Sequence, residues 1–466
     1  MATTIEHLVV LMLENRSFDH MLGFLKSPEY PIEGLSGGET NPGPLEPVRV
    51  NQNAQFAHDL EQDPGHAFLD VNLQIFDNKQ GVRNGQTMQG FVTSYAEYSA
   101  NAGNIMNCFS PAKVNVLSTL AKQYAICDHW YSSVPGPTIP NRGYVHAATS
   151  AGILVQTPDL FRKALRTIYE LLDEKGVNVT SKIFTDGLVL PSTIPYLVRH
   201  PEHFGTMQDF FDGCNSGNLP SYSFIEPRYA NQFGAGGAAA NDQHPDHDVE
   251  EGELLIRDVY QAIRSNDDLW KSTVLVITYD EHGGIFDHVQ PESCDPPGDE
   301  PSTNPPFDFS RLGIRVPAVI VSAYTPANRI SSLKYDHTSI IATVRKLFLG
   351  QNWQQIYLTN RDRNANTFDE CWNPTRPPRE DVVNLDAQPV ATASEIGFQV
   401  AAKSPDKRPN ELVTSMVQQA ALFENSLPPE QRSTMAGRPI ESEHDAAQYL
   451  KAVGDIVHQR PRGAQQ

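Results

Sequence analysis

The sequence predicts an α/β fold with a mostly parallel central sheet, flanked by helices and followed by a smaller C-terminal region. Continuous apolar runs of strand length recur along the chain, and patterns typical of amphipathic helices lie between them. Continuous apolar runs indicate strands that are buried on both faces. Because strands that alternate with helices form parallel sheets, the two observations together predict a doubly wound sheet.

The elements follow from these patterns in chain order. The predicted strands are HLVVLML at 7–13, VTSKIF near 179–184, SYSFIE at 221–226, STVLVITY at 272–279 and VPAVIVSAY at 316–324. The predicted helices are AKVNVLSTLAKQYA, ALRTIYELLDEKG, which Gly176 ends, and EEGELLIRDVYQAIRSN, which has acids in its first turn. Residues 26–65 and 285–310 are rich in Pro, Gly and polar residues, so we expect surface insertions that form the rim of a site.

The chain is expected to divide near residue 373. Residues 1–373 carry the strand and helix pattern and are predicted to form a catalytic domain with loop insertions. Residues 374–466 begin with a Pro-rich connection and continue with amphipathic helices near 409–425 and 442–457. We predict that this helical extension either caps the main domain or joins protomers into an oligomer.

Composition excludes several classes of protein. The 466 residues carry a formal net charge of −20, which repels nucleic acid, so a phosphate-bearing substrate would need local positive charge such as a metal ion. The five cysteines are scattered and form no C-x-x-C pair, which favours a reduced, intracellular protein. No export signal and no apolar stretch of membrane-spanning length stands out. We therefore expect a cytoplasmic protein, with export by an unrecognised route left open.

Two predicted strands end in a pair of polar residues. Glu14 and Asn15 follow the first strand, and Asp280 and Glu281 follow the strand at 272–279. The carboxyl ends of parallel strands share one edge of a sheet, so these side chains are expected to converge. Oxygen ligands suit a hard divalent ion, Mg²⁺, Ca²⁺ or Mn²⁺, with Zn²⁺ open if a histidine joins. The alternative is that each pair caps a following helix or binds a loop amide.

A third element is SVPGPTIPNRGYVHAATS at 133–150. Pro and Gly force a loop and good helix formers follow, so Thr138 is expected at or just before a helix N-terminus, where anions bind. A hydroxyl that binds a metal ion there becomes a nucleophile at neutral pH, which also makes Thr138 a metal ligand. Arg142, one turn later, shares its helix face, as His146 does one turn further on. The alternative is an ordinary N-cap threonine and a structural arginine.

Histidines in acid-bearing loops are candidates for stabilising a phosphoryl group, protonating a leaving alcohol or binding metal. They are His66, His244, His247, His282, His288 and His337. Any one of them alone is more often a solvated loop residue. The segment GLSGG at 34–38 fits the G-x-S-x-G motif of hydrolases, but no strand precedes it and no helix follows, so we interpret it as a surface turn.

Together, ENRSFDHMLG, PGPTIPNR, HPDHDVEEGE, TYDEHGGIFDHV and DHTSII resemble the phosphoesterase family of bacterial acid phosphatases and non-specific phospholipases C. The resemblance covers roughly residues 5–350 and implies an alkaline phosphatase-like core. It implies a metal set of Glu14, Asn15, Thr138, Asp280 and Glu281. It further implies Thr138, His66, His244 and Arg142 as catalytic residues, with Asn15, Asn141 and His337 as substrate-binding residues.

The resemblance implies a metal-dependent phosphoric ester hydrolase that works through a phosphothreonine intermediate. The substrate is a phospholipid, reached by transient contact with a membrane surface, or a small phosphomonoester. TIPNR has the spacing of the sulfatase C-x-P-x-R signature, but a threonine cannot become formylglycine, so phosphoryl transfer is favoured over a sulfatase-like hydrolase. A non-catalytic binding module on the same fold is the other alternative, although none of the site residues has been lost.

Overall fold

The computed structural model describes residues 5–56, 60, 62–81, 85–187, 189–231, 238–385 and 407–459. Its centre is an eight-stranded sheet. The strands are β1 (His7–Leu13), β2 (Ala125–Cys127), β3 (Ser181–Phe184), β4 (Phe204–Gly205), β5 (Tyr222–Ile225), β6 (Thr273–Tyr279), β7 (Ala318–Ser322) and β8 (Arg329–Ser331). Their order across the sheet is β8-β2-β7-β6-β1-β5-β3-β4.

The sheet is mostly parallel, which confirms the predicted α/β class. β1 pairs in parallel with β5 on one side and β6 on the other, and its register with β6 runs from His7 opposite Thr273 to Leu13 opposite Tyr279. All residues of β6 and all but the first of β1 are buried. Their continuous apolar sequence therefore reflects helices that cover both faces of the sheet.

The structure corrects the sequence prediction in two respects. The strand predicted at 316–324 is present as β7, but it runs antiparallel to both of its neighbours, β2 and β6. The short strands β2, β4 and β8 were not predicted. They contain two or three residues each, which is too short for an apolar run to be distinguished from a loop.

Helices and short ladders surround the sheet. The α-helices are Phe18–Leu22, Phe68–Phe76, Phe91–Tyr95, Asn115–Gln123, Thr138–Ala147, Asp159–Arg162, Ile168–Lys175, Pro195–Arg199, Met207–Ser216, Val249–Arg264, Asp267–Ser272, Thr338–Phe348, Asn360–Asn364, Glu411–Asn425 and Glu443–Gln459. Two-stranded ladders join Thr40–Asn41 to Val48–Arg49, Trp130–Tyr131 to Tyr335–Asp336 and Ser302–Thr303 to Pro306–Phe307. Among the described helices, none has both the length and the apolar character needed to cross a membrane.

The two C-terminal helices, Glu411–Asn425 and Glu443–Gln459, pack against each other and against the rest of the chain. The amide of Gln419 donates a hydrogen bond of 2.7 Å to the carbonyl of Leu190. Of the predicted extension, residues 386–406 and 460–466 lie outside the described residues. The contacts of the described helices favour the capping alternative, and an oligomeric role stays a prediction.

Candidate active site

The strand-end residues meet at the carboxyl edge of the sheet. Since β1 and β6 are parallel neighbours in register, Glu14 and Asn15 leave the sheet at the same level as Asp280 and Glu281, and all four are fully buried. The backbone N–H of Asn15 donates to Oδ1 of Asp280 at 3.2 Å. Gly283 packs directly against the backbone of Asn15, and a Cβ there would lie 2.2 Å from the Asn15 carbonyl oxygen.

Thr138 is the first residue of the helix Thr138–Ala147, as predicted, and the helix brings it to the same edge. Its hydroxyl lies 3.1 Å from Oε2 of Glu14 and 3.3 Å from Oδ1 of Asn15. A threonine hydroxyl has one hydrogen and can satisfy only one of these oxygens. Lone pairs of a carboxylate, an amide oxygen and a hydroxyl therefore converge on one buried point.

Arg142 lies behind this point and is fully buried. Its guanidinium donates to Glu14 at 2.6 and 3.0 Å, to Asp280 at 3.2 Å and to Glu226 at 2.6 Å. Glu226 was not assigned to the site from the sequence, although it ends the strand prediction SYSFIE just as the other acids end theirs. Tyr229 lies beneath the guanidinium and donates its hydroxyl to Glu226. These contacts suit an orienting role for Arg142, and its predicted catalytic role stays a prediction.

The electrostatics of this cluster suit a cation. Burial and the neighbouring Asp280 raise the pKa of Glu14 well above its ordinary value, and Arg142 offsets them only in part. Arg142 is one positive charge in contact with three carboxylates, Glu14, Asp280 and Glu226. Oε1 of Glu281 is buried and has no hydrogen-bond partner among the described residues. Carboxylate, amide and hydroxyl oxygens with this residual charge fit a hard divalent ion, whose identity the donor set leaves open.

His66 and His244 lie close to each other, with ring centroids 6.4 Å apart. Asp63 lies between them, 4.0 Å from Nδ1 of His66 and 3.7 Å from Nε2 of His244. Burial would lower the pKa of His66, but Glu281 and Asp63 outweigh it and raise that pKa to about 9. In His244, Asp63 and Asp246 likewise outweigh burial and raise the pKa. In both imidazoles the neighbouring carboxylates therefore favour the protonated form.

The segment that carries His244 is held by Asp242, a fully buried residue that the sequence analysis did not single out. The carbonyl of Asp242 accepts the N–H of Glu14 at 2.7 Å, which ties the segment to the end of β1. Its Oδ1 accepts from Nδ1 of His247 at 2.7 Å, while its Oδ2 has no partner among the described residues. No signal beyond the acidic run NDQHPDHD marks this residue in the sequence.

Two predicted substrate-binding residues make contacts that suit a supporting role. The side-chain oxygen of Asn141 accepts from the N–H of Val134 at 3.0 Å, and its two amide hydrogens are shared among the carbonyls of Val134, Gly136 and Pro137, so it holds the loop before Thr138. His337 is fully buried, and burial lowers its pKa. Its Nε2 donates to the Asp280 carbonyl at 2.6 Å, and its Nδ1 accepts from the indole of Trp130 at 3.4 Å.

A second acidic group lies nearby, in which potential ligand atoms of Asp19, Asp287 and His288 come within 4.8 Å of one another. The guanidinium of Arg315 already donates to Asp19 at 3.1 Å and to Asp287 at 3.0 Å, and Nδ1 of His288 lies 2.6 Å from Asp19. Because the positive charge of Arg315 balances the carboxylates of Asp19 and Asp287, this group resembles a network of ion pairs that stabilises the fold. The cluster at Thr138 keeps unpartnered oxygen and is the better candidate for a metal ion.

Most of the chain is similar in sequence to known proteins. A model of the Phosphoesterase family matches residues 5–349. The chain is 37% identical over 399 residues to non-specific phospholipase C6 of Arabidopsis thaliana, a match that covers 81% of this chain and 74% of the relative. Phospholipase C B of Mycobacterium tuberculosis is 26% identical over 445 residues, with 82% and 80% covered.

Among solved structures, the lipoteichoic acid synthase LtaP from Listeria monocytogenes matches with 9% identity and a TM-score of 0.36, covering 78% of this chain and 77% of that one. This likeness is too distant to carry an argument about function. The family match covers both strand-end pairs, Thr138 and the two histidines. The chain therefore belongs to the Phosphoesterase family.

Proposed function

We propose that the chain hydrolyses phosphoric esters, with phospholipids as the substrate class, and that Thr138 carries the phosphoryl group. The observation that carries this proposal is the position of the Thr138 hydroxyl. It lies at the start of a helix of ten residues and within 3.3 Å of Glu14 and Asn15. The dipole of a helix N-terminus favours the negative charge of a phosphate group at this place.

In the first step, Oγ of Thr138 forms a bond to phosphorus while the bond from phosphorus to the leaving alcohol breaks. The hydroxyl proton passes to a nearby carboxylate, and Oε2 of Glu14 is the closest acceptor at 3.1 Å. The leaving alkoxide takes a proton from His66 or His244. To act as a general acid, that histidine must be protonated before the step begins.

In the second step, a water oxygen attacks the phosphothreonine and the bond between phosphorus and Oγ breaks. The histidine that gave up its proton can now take one from this water, and Thr138 recovers its own. When bound by Glu14, Asn15, Asp280 and Glu281, a divalent ion would supply Lewis-acid polarisation of the phosphoryl oxygens. Arg142 keeps Glu14 and Asp280, two of the three carboxylates that it contacts, in place throughout.

The choice of phospholipid over small phosphomonoester rests on two points. The Arabidopsis thaliana and Mycobacterium tuberculosis relatives named above are phospholipases C. Next to His66, the side chains of Leu69 and Tyr98 are 45% and 43% exposed, and Tyr98 lies over Gly65. Exposed apolar side chains beside a polar site suit a substrate with a polar head and acyl chains. The net charge of −20 favours zwitterionic over anionic lipid surfaces.

A substrate panel tests the proposal. The purified enzyme is assayed with p-nitrophenyl phosphate, a soluble phosphocholine ester and phosphatidylcholine vesicles, and diacylglycerol release is measured by mass spectrometry. We expect diacylglycerol from the vesicles. Leu69→Ser should slow hydrolysis of the vesicles while leaving the soluble ester unaffected, because only the lipid surface contacts that side chain. If p-nitrophenyl phosphate were the only substrate hydrolysed, the enzyme would be a phosphomonoesterase and the proposed lipid substrate would be wrong.

The nucleophile is tested separately. Thr138→Ala should remove nearly all turnover, whereas Thr138→Ser keeps the reacting oxygen and should retain a measurable part. Ser150→Ala is the matched control, because Ser150 is a buried hydroxyl without a hydrogen-bond partner among the described residues. Acid quenching during turnover should leave phosphate on the peptide of residues 133–142. A near-native rate for Thr138→Ala would point to direct attack by water instead.

A further inference from the structure

The last helix of the chain begins at a buried carboxylate. Glu443 is 2% exposed, and its Oε1 accepts from both the backbone N–H and the side-chain amide of Asn231 at 2.8 Å each. The same oxygen lies 3.3 Å from Nε2 of His247. Burial favours the neutral form of Glu443, but the contact with His247 outweighs it and lowers its pKa. This carboxylate lies beyond residue 349, where the family match ends.

From His247 the contacts lead to the active site. Nδ1 of His247 donates to Oδ1 of Asp242 at 2.7 Å. That same oxygen accepts the backbone N–H of His244 at 3.3 Å, and the carbonyl of Asp242 accepts the N–H of Glu14 at 2.7 Å. Glu443 is therefore joined through one imidazole and one carboxylate to a proposed metal ligand and to a proposed acid.

A second residue of the C-terminal region, Lys407, also contacts the segment 242–247. Nζ of Lys407 lies 2.6 Å from Oδ2 of Asp246, whose other oxygen accepts from Nδ1 of His244. The carbonyl of Lys407 in turn accepts the N–H of Glu443 at 2.8 Å. Residues from the C-terminal region thus support both acidic partners of the segment 242–247.

From the catalytic side, the same segment is already tightly held. Arg16 donates to the carbonyls of Gln243 and His244 at 2.7 and 3.1 Å. Gln243 has a φ of +69°, and a Cβ on Gly252 would lie 2.1 Å from its side chain. The segment also carries the buried carboxylate of Asp242. Because an unpaired buried charge is costly, this carboxylate needs a well-positioned partner, and His247 is that partner.

We propose that Glu443 is a positioning residue of the active site, which orients His247 and, through it, Asp242 and the segment that carries His244. The C-terminal helix is then a functional part of the site, in addition to covering the domain. This inference rests on the proposed function where activity is the measurement. Partners that orient ligands in this way are typically worth 10- to 100-fold in activity or metal affinity.

The test compares Glu443→Ala with Glu441→Ala, a control that removes an exposed carboxylate two residues earlier. We expect Glu443→Ala to lower kcat by about 10- to 100-fold with little change in KM, and Glu441→Ala to match the wild type. Glu443→Gln keeps an acceptor for Asn231 but loses the charge, so an intermediate kcat is expected. Hydrogen exchange of the amides at 242–247 should accelerate in Glu443→Ala only, while exchange in β1 and β6 stays unchanged.

A double-mutant cycle checks the route. If Glu443 acts through His247, the double variant Glu443→Ala, His247→Gln should be about as slow as His247→Gln alone. The inference would be overturned if the two substitutions lowered kcat additively, or if hydrogen exchange at 242–247 in Glu443→Ala matched the wild type. It would also be overturned if the fall in kcat of Glu443→Ala were fully explained by its unfolded fraction. If the wild type hydrolyses none of the phosphate esters, the proposed function fails, while the exchange comparison still decides whether Glu443 holds the segment.

Discussion

Glu253 allows a quantitative test of how the helix that follows the segment 242–247 is anchored. It lies on the helix Val249–Arg264, directly after the segment 242–247, and is 3% exposed. Its carboxylate accepts from the backbone N–H of Val116 at 2.7 Å and of Leu117 at 3.3 Å, at the start of the helix Asn115–Gln123. Glu253→Gln is the informative change, because Oε1 of glutamine can accept the same two N–H groups without a charge.

The size of the effect follows from the pKa. Burial raises the pKa of Glu253 from 4.5 to about 8, although the two N–H donors oppose it. A raised pKa in the folded state means that stability is fully present below pH 4.5 and is lost as pH rises through about 8. At about 1.4 kcal/mol per pH unit, the carboxyl lowers the free energy of unfolding by about 5 kcal/mol at pH 8.5 and by less than about 1 kcal/mol at pH 5.

Urea unfolding followed by circular dichroism at pH 5 and pH 8.5 measures this difference. We expect Glu253→Gln to be close to the wild type at pH 5 and more stable than the wild type at pH 8.5. Asp258→Asn, an acid-to-amide change at an exposed position of the same helix, is the control and should show no such difference. A gain at pH 8.5 below about 1 kcal/mol would refute the reasoning, since it would mean that the two N–H donors keep the carboxylate ionised.

Three further predictions concern the site itself. Asp280→Asn should lower both bound metal, measured by mass spectrometry of the purified protein, and turnover; full activity after chelation of the wild type would contradict the metal site. Single alanine variants of His66 and His244 should each lower kcat by about 10² with little change in melting temperature, whereas a large loss of stability with normal kcat would indicate a structural role. Gly252→Ala should cost about 1–3 kcal/mol in urea unfolding because its Cβ would overlap Gln243, while Gly187→Ala, where a Cβ meets nothing within 4 Å, should be neutral.

Local sequence was sufficient to predict which residues converge at the centre of the candidate site. Apolar runs set the two long strands, and the polar pairs that end them, Glu14–Asn15 and Asp280–Glu281, had to lie where the strands leave the sheet. Proline and glycine before Thr138 set the start of its helix in the same way. These features depend on burial and backbone conformation over a few residues, so they are visible without knowledge of the rest of the fold.

Only the tertiary structure decided which distant elements meet. The antiparallel direction of β7 and the position of β1 between β5 and β6 depend on how whole surfaces fit together. The same holds for the contact of Arg142 with Glu226 and of His247 with Glu443, which join residues 84 and 196 positions apart. Such pairs leave no local pattern, because each partner alone is an ordinary charged residue, and their energy arises only when both are buried together.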